Sequence, residues 1–198
     1  IQRNPIGGRN FEYFSEDPLV SGICGLSVTK GAMENSSVTT CPKHFAPNEQ
    51  ETYRRGSLKK GYDAVDSIVE ERAAREIYLK PFEMIVRNSG VKTIMSSFNK
   101  INGTFAAGNH DLCTGILRGE WGFEGAVVTD WGDMDVVVDG ADAVRAGNDV
   151  IMPGGPPVIA QVLAGLKDGR CTREELCEAA ANLMRFVLQS GSFKRRGR

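Results

Sequence analysis

The chain has 198 residues, 24 Lys and Arg against 25 Asp and Glu, and a formal net charge of -1. Its 41% hydrophobic and 25% charged residues are ordinary globular composition, which excludes disordered, collagen-like and coiled-coil chains. Balanced charge argues against a general nucleic-acid or membrane-surface binder, no apolar run approaches the roughly 20 residues of a membrane helix, and the length falls short of the roughly 250 residues of a complete (β/α)8 barrel.

The first residues, broken by Pro5 and Gly7-Gly8, read as loop. Asp17-Pro18 opens a helix over about 18–34, and Thr39 to Phe45 reads as a short buried strand. Residues 46–62 are polar and Gly-interrupted, which predicts a long surface loop. Ser67 and Glu70 fit a capping box. A long helix is expected after it, with Ile68, Arg72, Arg75 and Ile77 on successive turns and Pro81 as a kink or restart. Val91 to Phe98 is the next strand and 109–119 the next helix. Ala126 to Asp130 is an apolar strand ending in an acid, followed by a helix over 134–146. Asp149 to Met152 is a fourth strand, stopped by Pro153-Gly154. Helices over 156–168 and 173–190 follow, the second capped by Thr172 and Glu175. Residues 191–198 form a basic tail, expected to be disordered or added to the natural sequence.

Short apolar strands alternating with helices imply an α/β protein with parallel strands. The expected architecture is a partial (β/α)8 TIM-type barrel with about four βα units. Polar residues gather at the C-terminal ends of its strands: Lys43-His44, Asn99, Asp130-Trp131 and Met152-Pro153. In barrels and open α/β sheets that edge holds the ligand.

Asp130 leads the candidates for chemistry, because an acid at such an end faces the cleft. The competing reading, a cap for the next helix, suits Asp133 better. Lys43-His44 closes the first strand, and adjacent strand residues serve one site only where the chain turns. Arg9 sits among Phe11, Tyr13 and Phe14 in what should be an ordered loop. Glu49, Glu51, Arg54 and Arg55 read as a salt-bridged surface loop, and His110 as a cap or surface residue. No GxxxxGK[ST], post-strand GxGxxG or GxSxG is present. Five cysteines without CxxC spacing predict reduced thiols, no metal site and a cytoplasmic setting.

Six segments resemble glycoside hydrolase family 3, the β-glucosidases. They are Gly8-Arg9-Asn10-Phe11-Glu12 through Pro18, Lys43-His44-Phe45 with Asn48-Glu49-Gln50-Glu51, Ser67 to Pro81, Met95 to Gly103, Trp121 to Trp131, and Ala146 to Gly154. They follow the family's order. The resemblance implies Asp130 as the nucleophile of a retaining β-glycosidase acting on terminal β-D-glucosyl residues of glucosides or oligosaccharides. It also implies Lys43, His44 and Arg9 as ligands of the sugar hydroxyls, Trp131 as an aromatic platform and Met95 as a wall residue. Phe98 stands where many members have a tyrosine whose hydroxyl lies near the nucleophile. The run Phe45-Ala46-Pro47-Asn48 lacks the PGHG element of the family's β-N-acetylhexosaminidases, which favours the glucosidase branch.

No metal or organic cofactor is implied. The family's acid/base glutamate usually comes from a second α/β domain, which nothing here resembles. The expectation is therefore that residues 1–190 are the C-terminal half of the barrel, inactive alone and completed by the remaining barrel and an acid/base-bearing domain, in the same polypeptide or a partner chain. The rival reading is a non-catalytic carbohydrate-binding or scaffold half-barrel.

Overall fold

The structure is a computed structural model that describes residues 1–36, 38–57, 60–132 and 137–196. Its centre is a parallel wall. Strand β2 (Thr93–Met95) pairs with β5 (Ala126–Val128), with Thr93 opposite Ala126, Ile94 opposite Val127 and Met95 opposite Val128. Phe45 adds a parallel bridge to Ser96, and Val150 adds one to Val128. Four neighbouring parallel segments thus stand in chain order, as the alternating pattern predicts. The two outer ones are single bridges rather than the strands expected over 39–45 and 149–152.

Helix α1 (Pro18–Asn35) begins where expected, with the Asp17 carboxylate accepting from the N–H groups of Leu19 and Val20. It packs on α3 (Lys80–Ser89). Gly25 of α1 faces Ile85 of α3, and a Cβ there would lie 2.8 Å from Ile85 Cδ1 and displace the end of that side chain. Ahead of α3, α2 (Glu71–Ala73) runs into a π-helical turn over Ala74–Tyr78, where the Leu79 N–H donates to the Ala74 carbonyl at 2.8 Å. The widened turn lies just before Pro81, which has no N–H to donate. The helical segment Asp111–Glu120 has the same wide turn.

The core lies between the wall and these helices. Phe45 is its centre, fully buried and in edge contact with Phe82 at 5.3 Å and Trp121 at 5.8 Å. Ile94 and Val127 complete the layer, also fully buried. Each such side chain contributes roughly 1.5–3 kcal/mol by leaving water.

Several expected local features differ. Ser67 is not a cap: it lies in β1 (Asp66–Ser67), paired with Ile101 of β3 (Lys100–Ile101), and the helix starts four residues later. Ile68 is 79% exposed. A hairpin joins β3 to β4 (Thr104–Phe105) through Asn102-Gly103, both at positive φ. Asn-Gly between short strands signals such a turn, yet no element is expected there from the periodicity. Helix α4 spans Gly140–Ala146 with Asp139 as N-cap; the expected start at 134, like Asp133, lies outside the described residues. Helix α5 (Pro156–Asp168) and helix α6 (Arg173–Gln189), with its Thr172/Glu175 capping box, agree with the sequence pattern. Gly191–Arg196 forms a short helix, α7, where a disordered tail was expected.

Candidate active site

Asp130 leaves the wall two residues past β5. Thr129 holds the exit in place: its N–H donates to the Val150 carbonyl at 2.9 Å, and its hydroxyl accepts from the Met152 N–H at 2.9 Å. Gly132, at φ 84°, turns the chain back so that its N–H reaches the Met152 carbonyl. That conformation favours glycine. The turn leaves the Asp130 side chain 10% exposed.

Three groups face its carboxylate. The Trp131 N–H donates to Oδ1 at 2.8 Å. Arg54 Nη1 stands 3.4 Å from Oδ2, and His44 Nε2 stands 3.6 Å from the same oxygen. Burial pushes the Asp130 carboxyl up from its ordinary value, opposed by the Trp131 N–H and the charges of Arg54, Arg9 and Lys43.

His44 is buried, and burial, reinforced by the charges of Arg9, Lys43 and Arg54, holds its imidazole down at about 3. It is therefore neutral at pH 7, and its contact with Asp130 is not an ion pair. Each ring nitrogen has a donor-only neighbour: Asn48 Nδ2 lies 3.4 Å from Nδ1, but its two N–H groups go to the Tyr13 hydroxyl and Glu51 Oε1, which leaves Arg9 to set the tautomer. Arg9 Nη1, which can only donate, lies 3.3 Å from Nε2. Nε2 is then the acceptor and Nδ1 carries the proton, given to the Tyr13 hydroxyl at 3.1 Å. Asn48 Nδ2 serves that hydroxyl at 3.2 Å and Glu51 Oε1 at 3.1 Å. Asn48 Oδ1 is buried with no partner among the described residues.

Arg9 is gripped by Glu12 through two bonds, Nε at 2.7 Å and Nη2 at 2.8 Å. Lys43 Nζ reaches the same carboxylate at 2.7 Å. Hydrogen bonds from Arg9 and then Lys43 hold Glu12 down at about 2. Arg54 lies 4.6 Å above the Phe98 ring, with Nε 3.2 Å from Glu51 Oε2.

The structure thus brings Arg9, His44 and Asp130 into one contact chain. Lys43 joins it only through Glu12, and Arg54 is the cation in direct contact with the carboxylate. Phe98 and Trp131 line a cavity of about 290 Å³ with Asp130. Met95 pairs with Val128, one layer below Asp130 on the same face of the wall. Glu12, Tyr13, Asn48 and Arg54 were not singled out from sequence. The loop over 46–62 read as surface, but Ala46, Pro47 and Asn48 are buried under the site and Arg54 reaches into it. Dense alternation of aromatic, amide and charged residues in Arg9–Phe14 and Asn48–Arg55 was the available signal.

Fold and site together define a class: parallel α/β barrel domains that carry their chemistry at the carboxyl edge of the strands. Residues 1–186 match the family model of the Glycosyl hydrolase family 3 N terminal domain, and the chain belongs to glycoside hydrolase family 3. It is 42% identical to a beta-glucosidase of Ruminococcus albus, over 99% of this chain and 21% of that protein. It is 41% identical to an exo-alpha-(1->6)-L-arabinopyranosidase of Bifidobacterium breve, over 94% of this chain and 23% of that protein. Beta-glucosidase 3B from Thermotoga neapolitana, solved in complex with glucose, matches with a TM-score of 0.87 and 41% identity, over 98% of this chain and 27% of that one. The chain spans about a fifth of the length of the curated relatives it matches.

Proposed function

We propose that this chain is the nucleophile-bearing part of a retaining β-glycosidase acting on terminal β-D-glucosyl groups. The observation that carries the reading is Asp130, set at the carboxyl edge of the wall with donors on both oxygens. Its Oδ2 attacks the anomeric carbon, and the carbon–oxygen bond to the leaving group breaks. A carboxylic acid gives its proton to the departing oxygen, then takes one from the water that cleaves the glycosyl ester. The two carboxyl groups of such a pair lie about 5–5.5 Å apart. Glu51, the other acid lining the cavity, is occupied by Arg54 and Asn48. In this reading, as the family resemblance implies, the acid/base group is supplied from outside residues 1–198, by the same polypeptide or a partner, and residues 1–190 act as the C-terminal half of the barrel.

Arg9, Lys43 and His44 bind sugar hydroxyls in this reading, and Trp131, 58% exposed, offers its face to the ring. A reducing, cytoplasmic setting belongs to the same reading, supported by buried free thiols at Cys113 and Cys171. The test uses the full-length enzyme and a 2-deoxy-2-fluoro β-glucoside with a good leaving group. The expected result is a sugar ester on the peptide containing Asp130, and product released with retained configuration. An adduct on another carboxylate, or inverted product, overturns the assignment.

A further inference from the structure

The cavity beside Asp130 has two unlike flanks. Arg9, Lys43 and His44 cluster on one flank and do not line the cavity. The other flank is built by the loop carrying Tyr53, Arg55 and Tyr62, together with Phe98 and Trp131.

That loop is a fixed wall. The Val65 N–H donates to the Tyr53 carbonyl at 2.9 Å, and Ser57 and Tyr62 exchange two backbone bonds at 2.8 and 3.2 Å. The Lys100 N–H ties Val65 to β3 at 2.9 Å. Gly56 is buried at φ 68°, and a Cβ there would lie 2.7 Å from the Ala64 nitrogen. The rings of Tyr53 and Tyr62 meet at 4.4 Å, and Tyr53 stays 56% exposed.

The charges of this flank do not all cancel. Asp130 and Glu51 are both engaged by Arg54. Arg55 is exposed, lies 5.9 Å from the Phe98 ring centroid, and pairs with no carboxylate among the described residues. Its Nη1 sits 2.9 Å from where a Cβ on Gly132 would stand, so the glycine makes room for it beside the Asp130 turn. Among the described residues the uncommitted charge in the cavity is positive, and it is framed by aromatic faces.

We infer that this flank is the leaving-group subsite and that it selects an aromatic leaving group bearing a carboxylate, the ring against Tyr53 and Tyr62 and the acid on Arg55. The inference rests on the glycosidase reading above, and the cavity suits a compact group, being near the lower end of the small-molecule range. Removing the guanidinium from a guanidinium–carboxylate pair at an exposed position costs up to about fivefold in rate or affinity.

The test measures kcat/KM of the full-length enzyme on 4-carboxyphenyl and 4-carbamoylphenyl β-D-glucosides. Comparing the acid-to-amide ratio between parent and variant cancels the difference in leaving-group chemistry. Arg55→Gln is expected to lower that ratio by up to about fivefold, and Arg55→Lys, which keeps the charge, is expected to retain most of it. A ratio unchanged in Arg55→Gln, or reduced equally in Arg55→Lys, overturns the subsite. Hydrolysis of neither glucoside overturns the glycosidase reading beneath it. Hydrolysis of both with no response to Arg55 overturns the subsite alone.

Discussion

Two buried aspartates stand on the same parallel wall and are held in opposite ways. Asp149 enters the wall at the level of Val127. Its carboxylate accepts from Arg118 Nη2 at 2.6 Å, the Val127 N–H at 2.6 Å and Asn182 Nδ2 at 2.9 Å, with the side chain 1% exposed. Arg118 also donates to the carbonyls of Gly125 and Gly147. Asp130 leaves the wall beyond β5 with one short bond, while its charged and imidazole neighbours stand at 3.4 and 3.6 Å. Burial is the first cause raising both carboxyls. Burial and a raised carboxyl therefore do not distinguish a catalytic acid from a structural one. The number of short donors does: Asp149 has three of its roughly four lone-pair sites committed at 2.6–2.9 Å, Asp130 only one. The split follows the barrel's own polarity, stability at one end of the strands and chemistry at the other.

Exchanging the roles is the largest test of that contrast. In the full-length enzyme, Asp130→Asn is expected to lower β-glucosidase turnover by on the order of 10⁴-fold or more. Its melting temperature should hold or rise, because the substitution removes a charge that burial disfavours. Asp149→Ala is expected to lower unfolding stability by about 3–5 kcal/mol, because it strands Arg118 without its partner. That is a large share of the roughly 5–15 kcal/mol holding an ordinary domain. Denaturant titration and turnover of the two variants read both effects. A destabilised Asp130→Asn beside a stable Asp149→Ala would reverse the comparison.

The two aspartates were not equally legible in sequence. Asp130 could be picked out because it ends an apolar β-branched run and precedes Trp131-Gly132, so strand position alone puts it at the ligand edge. Asp149 opens a similar run, but its partners, Arg118 and Asn182, are 31 and 33 residues away in the chain. Periodicity carries no trace of such pairings. The same limit hid Arg54, whose contact with Asp130 spans 76 positions, and the Tyr13–His44 bond, which spans 31. Local signals misled where tertiary pairing overrode them: Ser67-x-x-Glu70 has the spacing of a cap, but Ser67 is drawn into pairing with Ile101. Helices α5 and α6 were legible because amphipathic period, caps and flanking Pro or Gly agree there.

A smaller test asks how far Arg54 keeps Asp130 usable. A nucleophilic carboxylate must be ionised, so activity falls as pH drops through its pKa. Burial sets that pKa above the ordinary carboxylate value, and Arg54 is the leading side-chain charge pulling it down. Arg54→Gln should therefore move the acidic limb of kcat/KM to higher pH, by about one unit. His44 does not blur the reading, because its own titration lies near 3. An acidic limb that stays in place would mean that the Trp131 N–H and the charges of Arg9 and Lys43 maintain the ionised form without Arg54.

The smallest expected effect separates Asp130's neighbours from one another. If Arg9 makes His44 Nε2 an acceptor, then Nδ1–H needs the Tyr13 hydroxyl, and His44 gives Asp130 no proton. Tyr13→Phe leaves that buried N–H without an acceptor, at a cost of about 1–3 kcal/mol. The imidazole can escape by moving its proton to Nε2, but that sets an N–H against the guanidinium of Arg9 and pushes it from its 3.3 Å contact. The expected outcome is about a tenfold loss of kcat/KM, with an acidic limb unchanged because no charge near Asp130 is lost. Histidine ¹⁵N shifts of the parent enzyme at pH 7 should show Nδ1 protonated and Nε2 bare. A protonated Nε2 would make His44 a donor to Asp130 Oδ2, and Asp130 would then have a second good donor, closer to the heavily bonded state of Asp149 than to an open nucleophile.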